Sequence, residues 1–412
     1  VTQGASAKDA PNEVEVGWID EIVANGDLPD DLAKDLRAVA EPQASFAAAG
    51  AAARPRVAVF CPLVPAEVIW GLGAQPVLLA ADRPAGGRAD ALLQPFCCMR
   101  VRAQVEAFLA AGRGEMGFAA AVAPAGCCDS VQNLASVLRA QEHGAPVVDL
   151  TLPVCFDHRG SAAYLRAELE RWAGALAETC GLAAVDPDRV GAALALWEQL
   201  RYRLRVLEPL TATGRLHRST FFLLSRALWS IDPQRLLRGL AATQTQAQKR
   251  RRSIQGKGTI RLGLVSGPLD SLAMLTALEG RGAQIVLDDC CVASALSSGV
   301  ADQAYGSAVW DRLTRRLMTR RPCPVRSFSS GLRWRALMQK IGEREVQAMI
   351  IASWKFCDPH GFDNAVLKKQ LKRANIPCLE LEIDTGAALS GQLLTRVEAF
   401  LESLAAPDEV WV

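Results

Sequence analysis

Three pairs of adjacent cysteines stand out: Cys97-Cys98 in "PFCCMR", Cys127-Cys128 in "GCCDS" and Cys290-Cys291 in "DDCC". With the lone Cys357 of "WKFCDPHG", they are the residues of this sequence best suited to do chemistry. Twelve cysteines scattered over 412 positions would give well under one adjacent pair by chance. Neighbouring cysteines bridge each other only with strain, so metal ligation or redox chemistry is the better reading. Structural zinc sites favour close pairs such as C-x2-C, and that spacing does not occur. A larger inorganic cluster suits the doublets better, because adjacent residues on one loop point in different directions and can reach irons several ångströms apart. Each doublet could then serve two metal centres. Cys61, Cys155, Cys180, Cys323 and Cys378 read as ordinary small hydrophobes.

The elements that position these thiols repeat along the chain. "RVAVFCPLVPAEVIWGLGAQPVLLAAD" runs apolar strand, helix, Gly-Ala-Gln, strand, and "RLGLVSGPLDSLAMLTALEGRGAQIVLDDCC" has the same order. "GFAAAVAPAGCCDSVQNLASVLRAQEHGAPVVDLTLP" and "VQAMIIASWKFCDPHGFDNAVLKKQLKRANIPCLELEID" both run strand, Cys-Asp, helix, Pro, strand. The fold expected is α/β, with two similar Rossmann-like domains at 51–160 and 256–412, each built on a parallel sheet by βαβ crossovers. Residues 1–50 read as a helical N-terminal arm, and 161–255 as a helical connector closed by the basic loop "QKRRRSIQGKG". Ligands of open α/β sheets collect at the carboxyl ends of the strands, where all seven thiols fall. Asp129 and Asp358, which follow Cys128 and Cys357, are suited to N-cap the next helix, whose unpaired amides and dipole favour an anionic group such as a thiolate-ligated cluster.

Charge and hydropathy exclude other classes. The 46 basic and 44 acidic residues nearly cancel, so no global field argues for nucleic acid or an anionic membrane. No apolar run reaches membrane-spanning length, and the start "VTQGASAKDAPNEV" does not read as a secretory signal; the chain is expected to be cytoplasmic. His360 and His158 are candidate proton donors, weighed against ordinary packing roles. Lys355 and Arg396 read as structural, paired with a carboxylate such as Glu398 or the acidic run near Asp288. "SGPLDS" at 266–271 reads as a strand-to-helix turn in preference to a phosphate site.

At these residues the sequence resembles the benzoyl-CoA reductase and 2-hydroxyacyl-CoA dehydratase family. "KFCDP", "LKKQLKRANIPCLELEID" and "GQLLTRVEAFLE" follow in that family's order and spacing, joined by "CCDSVQNL", "VPAEVIWGLGAQPVLL" and "GAQIVLDDCC". The likeness covers most of residues 55 to 405. It implies paired α/β domains around a [4Fe-4S] cluster held by three cysteines, which match Cys98, Cys128 and Cys357. Ordinary members need one thiol at each position, whereas this chain duplicates two of them and adds Cys290 and Cys291. Two bridged cubanes need six thiolates, and seven candidates are present.

The chain is therefore similar to the double-cubane cluster proteins, a branch carrying an [8Fe-9S] cluster. The resemblance assigns Cys98, Cys128 and Cys357 to one cubane, and Cys97, Cys127 and either Cys290 or Cys291 to the other. It implies a homodimer that reduces small molecules. No G-x-x-x-x-G-K-[ST] loop occurs, so ATP hydrolysis would belong to a partner, a homodimeric ATPase with its own [4Fe-4S] cluster that injects single low-potential electrons. Two alternatives stand beside this reading: a single-cluster subunit of a 2-hydroxyacyl-CoA dehydratase or benzoyl-CoA reductase, and an electron-storage or cluster-carrier protein.

Overall fold

The computed structural model describes residues 13–40, 54–81, 87–111, 117–125, 128–141, 145–250, 259–270, 272–299, 308–321, 323, 331–384 and 390–405. Two four-stranded, wholly parallel sheets organise it, as the alternating strand and helix patterns predict. The first contains β1 (Arg56–Val59), β2 (Gln75–Leu78), β3 (Ala120–Ala125) and β4 (Val147–Thr151), in the order β2-β1-β3-β4. The second contains β5 (Ile260–Ser266), β6 (Ala283–Cys290), β7 (Ala348–Trp354) and β8 (Cys378–Ile383), in the matching order β6-β5-β7-β8. Helices cover the sheets, so the central strands β5 and β7 are mostly buried, and the edge strand β6 is buried at every position. Strand order reverses between β1 and β3, and again between β5 and β7. A crevice opens at the carboxyl ends of the strands at each such switch point.

The repeated Gly-Ala-Gln has a conformational cause. Gly73 (φ +98°) and Gly282 (φ +81°) lie in the left-handed region, where an L side chain is strained, and each ends a helix immediately before the next strand. At the first, the Gly73 and Ala74 amides donate to the carbonyls of Trp70 and Ile69, closing the helix Ala66–Gly71. Ala74 and Ala283 are buried, and the glutamines enter β2 and β6. Gln284 also donates to the Thr211 carbonyl at 2.9 Å, fastening β6 to the helices between the sheets.

Those helices are Ser161–Thr179, Pro187–Ala212, Arg218–Arg226 and Pro233–Lys249. Two start where the sequence specifies: Asp186 and Asp232 accept from amides of the first turn, each followed by a proline that needs no amide partner. Their apolar stripes, including Leu165, Trp172 and Leu200, are fully buried in a core shared with both sheets. Helices Glu13–Ala24 and Asp30–Ala40 form the arm. Leu32 of the arm packs so closely on Gly239 that a Cβ there would lie 2.8 Å from it. Between the two arm helices, buried Asp27 accepts from the His217 ring at 2.8 Å, from Thr220 at 2.8 Å and from Arg250. The rest of the basic stretch, 251–258, lies outside the described residues.

Candidate functional site: a thiol cluster at the seam between the sheets

Three thiols stand immediately before helices. Cys98 precedes Met99–Ala111, and the cap positions of Asp129–Gln132 and Asp358–Arg373 fall to Cys128 and Cys357, so Asp129 and Asp358 are first helical residues and not the caps the sequence suggested. The Arg102 amide donates to the Cys98 carbonyl at 3.0 Å, and the Gly361 amide to that of Cys357 at 2.9 Å, closing the first turns. Phe356, just before Cys357, is held at φ 60°, an unfavourable conformation for a large side chain that sets the direction in which the next residue leaves β7.

Three consecutive residues then reach from the first sheet to the second. The Cys98 and Cys357 side chains interact at the edge of one apolar core. The Met99 amide donates to the Lys355 carbonyl at 3.1 Å. Arg100, 5% exposed, pairs with Asp270 at 2.7 and 3.2 Å. The same guanidinium donates to the carbonyls of Phe60 and Leu79, and Gln104 doubles both contacts, so the Cys98 helix is hung from the ends of β1 and β2. Trp354, at the end of β7, is buried in the first sheet's core and donates to the Pro268 carbonyl at 2.7 Å. Cys97, Cys128 and Cys357 pack against that core beside buried Cys98.

The electrostatics suit an anionic sulfur. The hydrogen bond from Cys357, reinforced against burial by the amides of Arg100 and Val101 and the Arg100 charge, brings the Cys98 thiol down to about 7. The shared proton holds Cys357 well above the ordinary thiol range, with burial adding to the effect. Burial also raises Cys97, against a hydrogen bond with Ser130.

Of the seven thiols singled out by sequence, four (Cys97, Cys98, Cys128 and Cys357) come together, and Cys127 lies outside the described residues. Cys290 and Cys291 part company at the end of β6. Cys290, 1% exposed, donates to the Gly267 carbonyl at 3.0 Å, and burial pushes its thiol up to about 12. Cys291 donates instead to Cys323, near Cys61. The acidic residues before them are structural: Arg218 holds Asp288 at 2.7 Å, and Arg333 holds Asp289 at 2.8 Å.

Other expectations are redrawn. Glu398 pairs with Arg281, Arg396 donates to the Glu380 carbonyl, and Lys355 faces Asp384 at 3.6 Å. His158 accepts from the Gly160 amide at 3.1 Å. His360 is buried and, with Arg333 nearby, depressed to about 4, so it stays neutral near pH 7. The turn "SGPLDS" contains Asp270, the carboxylate that receives Arg100.

The sequence profile described as 2-hydroxyglutaryl-CoA dehydratase, D-component, matches residues 61–404. This chain belongs to that family. Among similar proteins are the (R)-phenyllactyl-CoA dehydratase beta subunit of Clostridium sporogenes, 29% identical over 36% of this chain and 38% of that one, and the lactoyl-CoA dehydratase subunit beta of Anaerotignum propionicum, 28% identical over 20% and 22%. The chain thus spans well under two thirds of either relative. Members of the dehydratase family typically bind iron–sulfur clusters.

The seam thiols match such a group in donor type, as several sulfurs at helix starts, although among the described residues no three His, Cys, Asp or Glu side chains are arranged to hold a single metal ion. Sequence reading missed Arg100 and Asp270. Their separation of 170 residues leaves no local pattern to detect. No helix among the described residues is long and apolar enough to cross a membrane.

Proposed function

We propose that this chain is an iron–sulfur oxidoreductase in which Cys98, Cys128 and Cys357 would hold one [4Fe-4S] unit and further thiols a second, as an [8Fe-9S] double cubane. Residues 51–160 and 256–412 would be its cluster-binding domains, carried by the arm at 1–50 and the connector at 161–255. The gathering of Cys98, Cys128 and Cys357, which come from opposite sheets, about one apolar core is the observation that carries this reading. The bound cluster would supply low-potential electrons to a small-molecule substrate, received one at a time from a separate ATP-hydrolysing [4Fe-4S] activator.

The chain's own part would be to orient thiolates at helix starts and to screen their charge. Arg100, held by Asp270, is the fixed cation beside Cys98. Trp354 and Phe60 line the same core, and a dry surrounding lowers cluster potential. We further propose that the protein acts as a homodimer.

The two beta-subunit relatives favour a second reading, a single-cluster subunit of an acyl-CoA dehydratase complex. Iron and acid-labile sulfide analysis of anaerobically prepared protein separates the two: about eight irons per chain for the double cubane, about four for the dehydratase subunit. A thiol-free metal content, or zinc alone, would sink both.

A further inference from the structure

The first sheet ends at β4, the last strand in the order β2-β1-β3-β4. The helix Leu134–Arg139 packs on one face of that sheet and Ser161–Thr179 on the other. A cleft of about 410 Å³ lies beside β4, lined by the strand and by side chains of both helices, among them Arg139, Glu168 and Arg171. An end strand presents a row of amides and carbonyls on which a further strand can form, and a cleft between two covering helices gives that strand room.

Which groups point outward follows from the alternation of the strand. Pro146 turns its carbonyl toward β3, where it takes the Ala121 amide at 2.8 Å, so Val148 and Leu150 also face inward and Val147, Asp149 and Thr151 face out. Side chains meet all three. Arg139 donates to the Val147 carbonyl at 3.4 Å, Arg171 donates to the Asp149 carbonyl at 2.9 Å, and Glu168 accepts from the Thr151 amide at 2.6 Å. These side chains are themselves held: buried Glu168 receives Arg171 twice at 2.7 Å, and the Asp149 carboxylate receives Arg139. Since Arg139 and Arg171 come from opposite faces of the sheet, the edge is clasped from both sides. In the second sheet β6 is buried at every position, with Arg218 of the connector donating to the Ile285 carbonyl at 3.1 Å, and β8 gives its Glu380 carbonyl to Arg396 at 2.8 Å.

We propose that Arg139, Glu168 and Arg171 form a plug that closes the outer edge of β4 to a further strand, the strand excluded being β4 of a second copy of this chain. Pairing there needs the Val147 and Asp149 carbonyls and the Thr151 amide, and each is already bonded. The strand itself, Val147-Val148-Asp149-Leu150-Thr151, is rich in β-branched residues and suited to pair with its own kind. Two copies meeting at this edge would extend one sheet into the other about a two-fold axis. Glu168 is the anchor, because it fills the amide and fixes the guanidinium that fills the carbonyl. The plug is independent of the iron–sulfur reading, and it directs any homodimer to another surface.

The test is sedimentation velocity of the full chain, with amide exchange along Val147–Thr151. Wild type should keep one sedimenting mass from about 1 to about 100 µM. Arg171→Ala leaves Asp149 neutralised by Arg139, so it opens the edge without setting like charges against each other. It should roughly double its weight-average mass by about 100 µM with native circular dichroism, and exchange along β4 should slow in the assembled species. Arg171→Lys keeps a cationic donor and should sediment as wild type. Arg166→Ala removes the same charge from the same helix at a residue that pairs with Glu170 and Asp311, and it too should sediment as wild type. Unchanged mass in natively folded Arg171→Ala would overturn the plug. Equal association of Arg166→Ala would also overturn it, by making lost surface charge the cause. Should Arg171→Ala lose its native circular dichroism, Arg171→Met, which keeps the packing of the arginine stem, decides on the same terms.

Discussion

Arg100 and Asp270 form a buried two-point ion pair across the seam, with side-chain exposures of 7% and 4%. Pairs of this kind add little compared with a well-packed apolar substitute, yet removing one partner strands a buried charge. Asp270→Asn is therefore expected to destabilise the protein by about 3–5 kcal/mol in urea or thermal unfolding. The double variant Arg100→Met/Asp270→Leu should recover most of that loss. Equal stability of Asp270→Asn and wild type would mean that the pair is solvated.

Phe356 offers a test of stored backbone strain. It is 41% exposed and held at φ 60°, so its side chain contributes little burial to offset the unfavourable conformation. Phe356→Gly is expected to leave stability unchanged or raise it by up to about 1 kcal/mol, and Phe356→Val to lower it by about 1–2 kcal/mol, because a β-branched residue tolerates the left-handed region least. Unfolding midpoints of the two variants check the order; Val matching Gly would refute it.

The link between arm and connector should depend on pH. Burial works against the His217 imidazolium, but the hydrogen bond and charge of Asp27 win and raise it above its ordinary 6.5. Burial likewise opposes Asp27 ionisation, yet the His217 contacts hold it below 3.8. A raised histidine stabilises fully below 6.5 and loses that contribution as pH climbs through its folded value. A depressed carboxylate stabilises above 3.8 and loses its contribution as pH falls through its folded value. The stability difference between wild type and His217→Ala, about 1–2 kcal/mol, should thus be greatest between pH 3.8 and 6.5 and shrink above it. A difference that grows toward alkaline pH would show the linkage to be absent.

Much of the fold was legible because its signals are local. Apolar runs and the two Gly-Ala-Gln junctions before β2 and β6 each act within a few residues. Cys97, Cys98 and Cys128, from the first two doublets, lie together at the seam, while Cys127 is outside the described residues. The two thiols of the doublet at 290–291 differ in surroundings, as neighbours at a strand end point to opposite sides: Cys290 donates to the Gly267 carbonyl, and Cys291 lies near Cys323. The bond from Arg320 to the Pro62 carbonyl joins segments 258 residues apart, a distance over which no local pattern acts.

The grip of residues 98, 99 and 100 on Cys357, Lys355 and Asp270 makes the metal-binding candidates and the joint between the sheets one and the same place. Inserting a cofactor there resembles driving a rivet through a hinge: loading would be felt as stiffness along the whole length of the joint. Amide exchange along Met99–Ala111 and β7 would accordingly gauge occupancy without any turnover being measured.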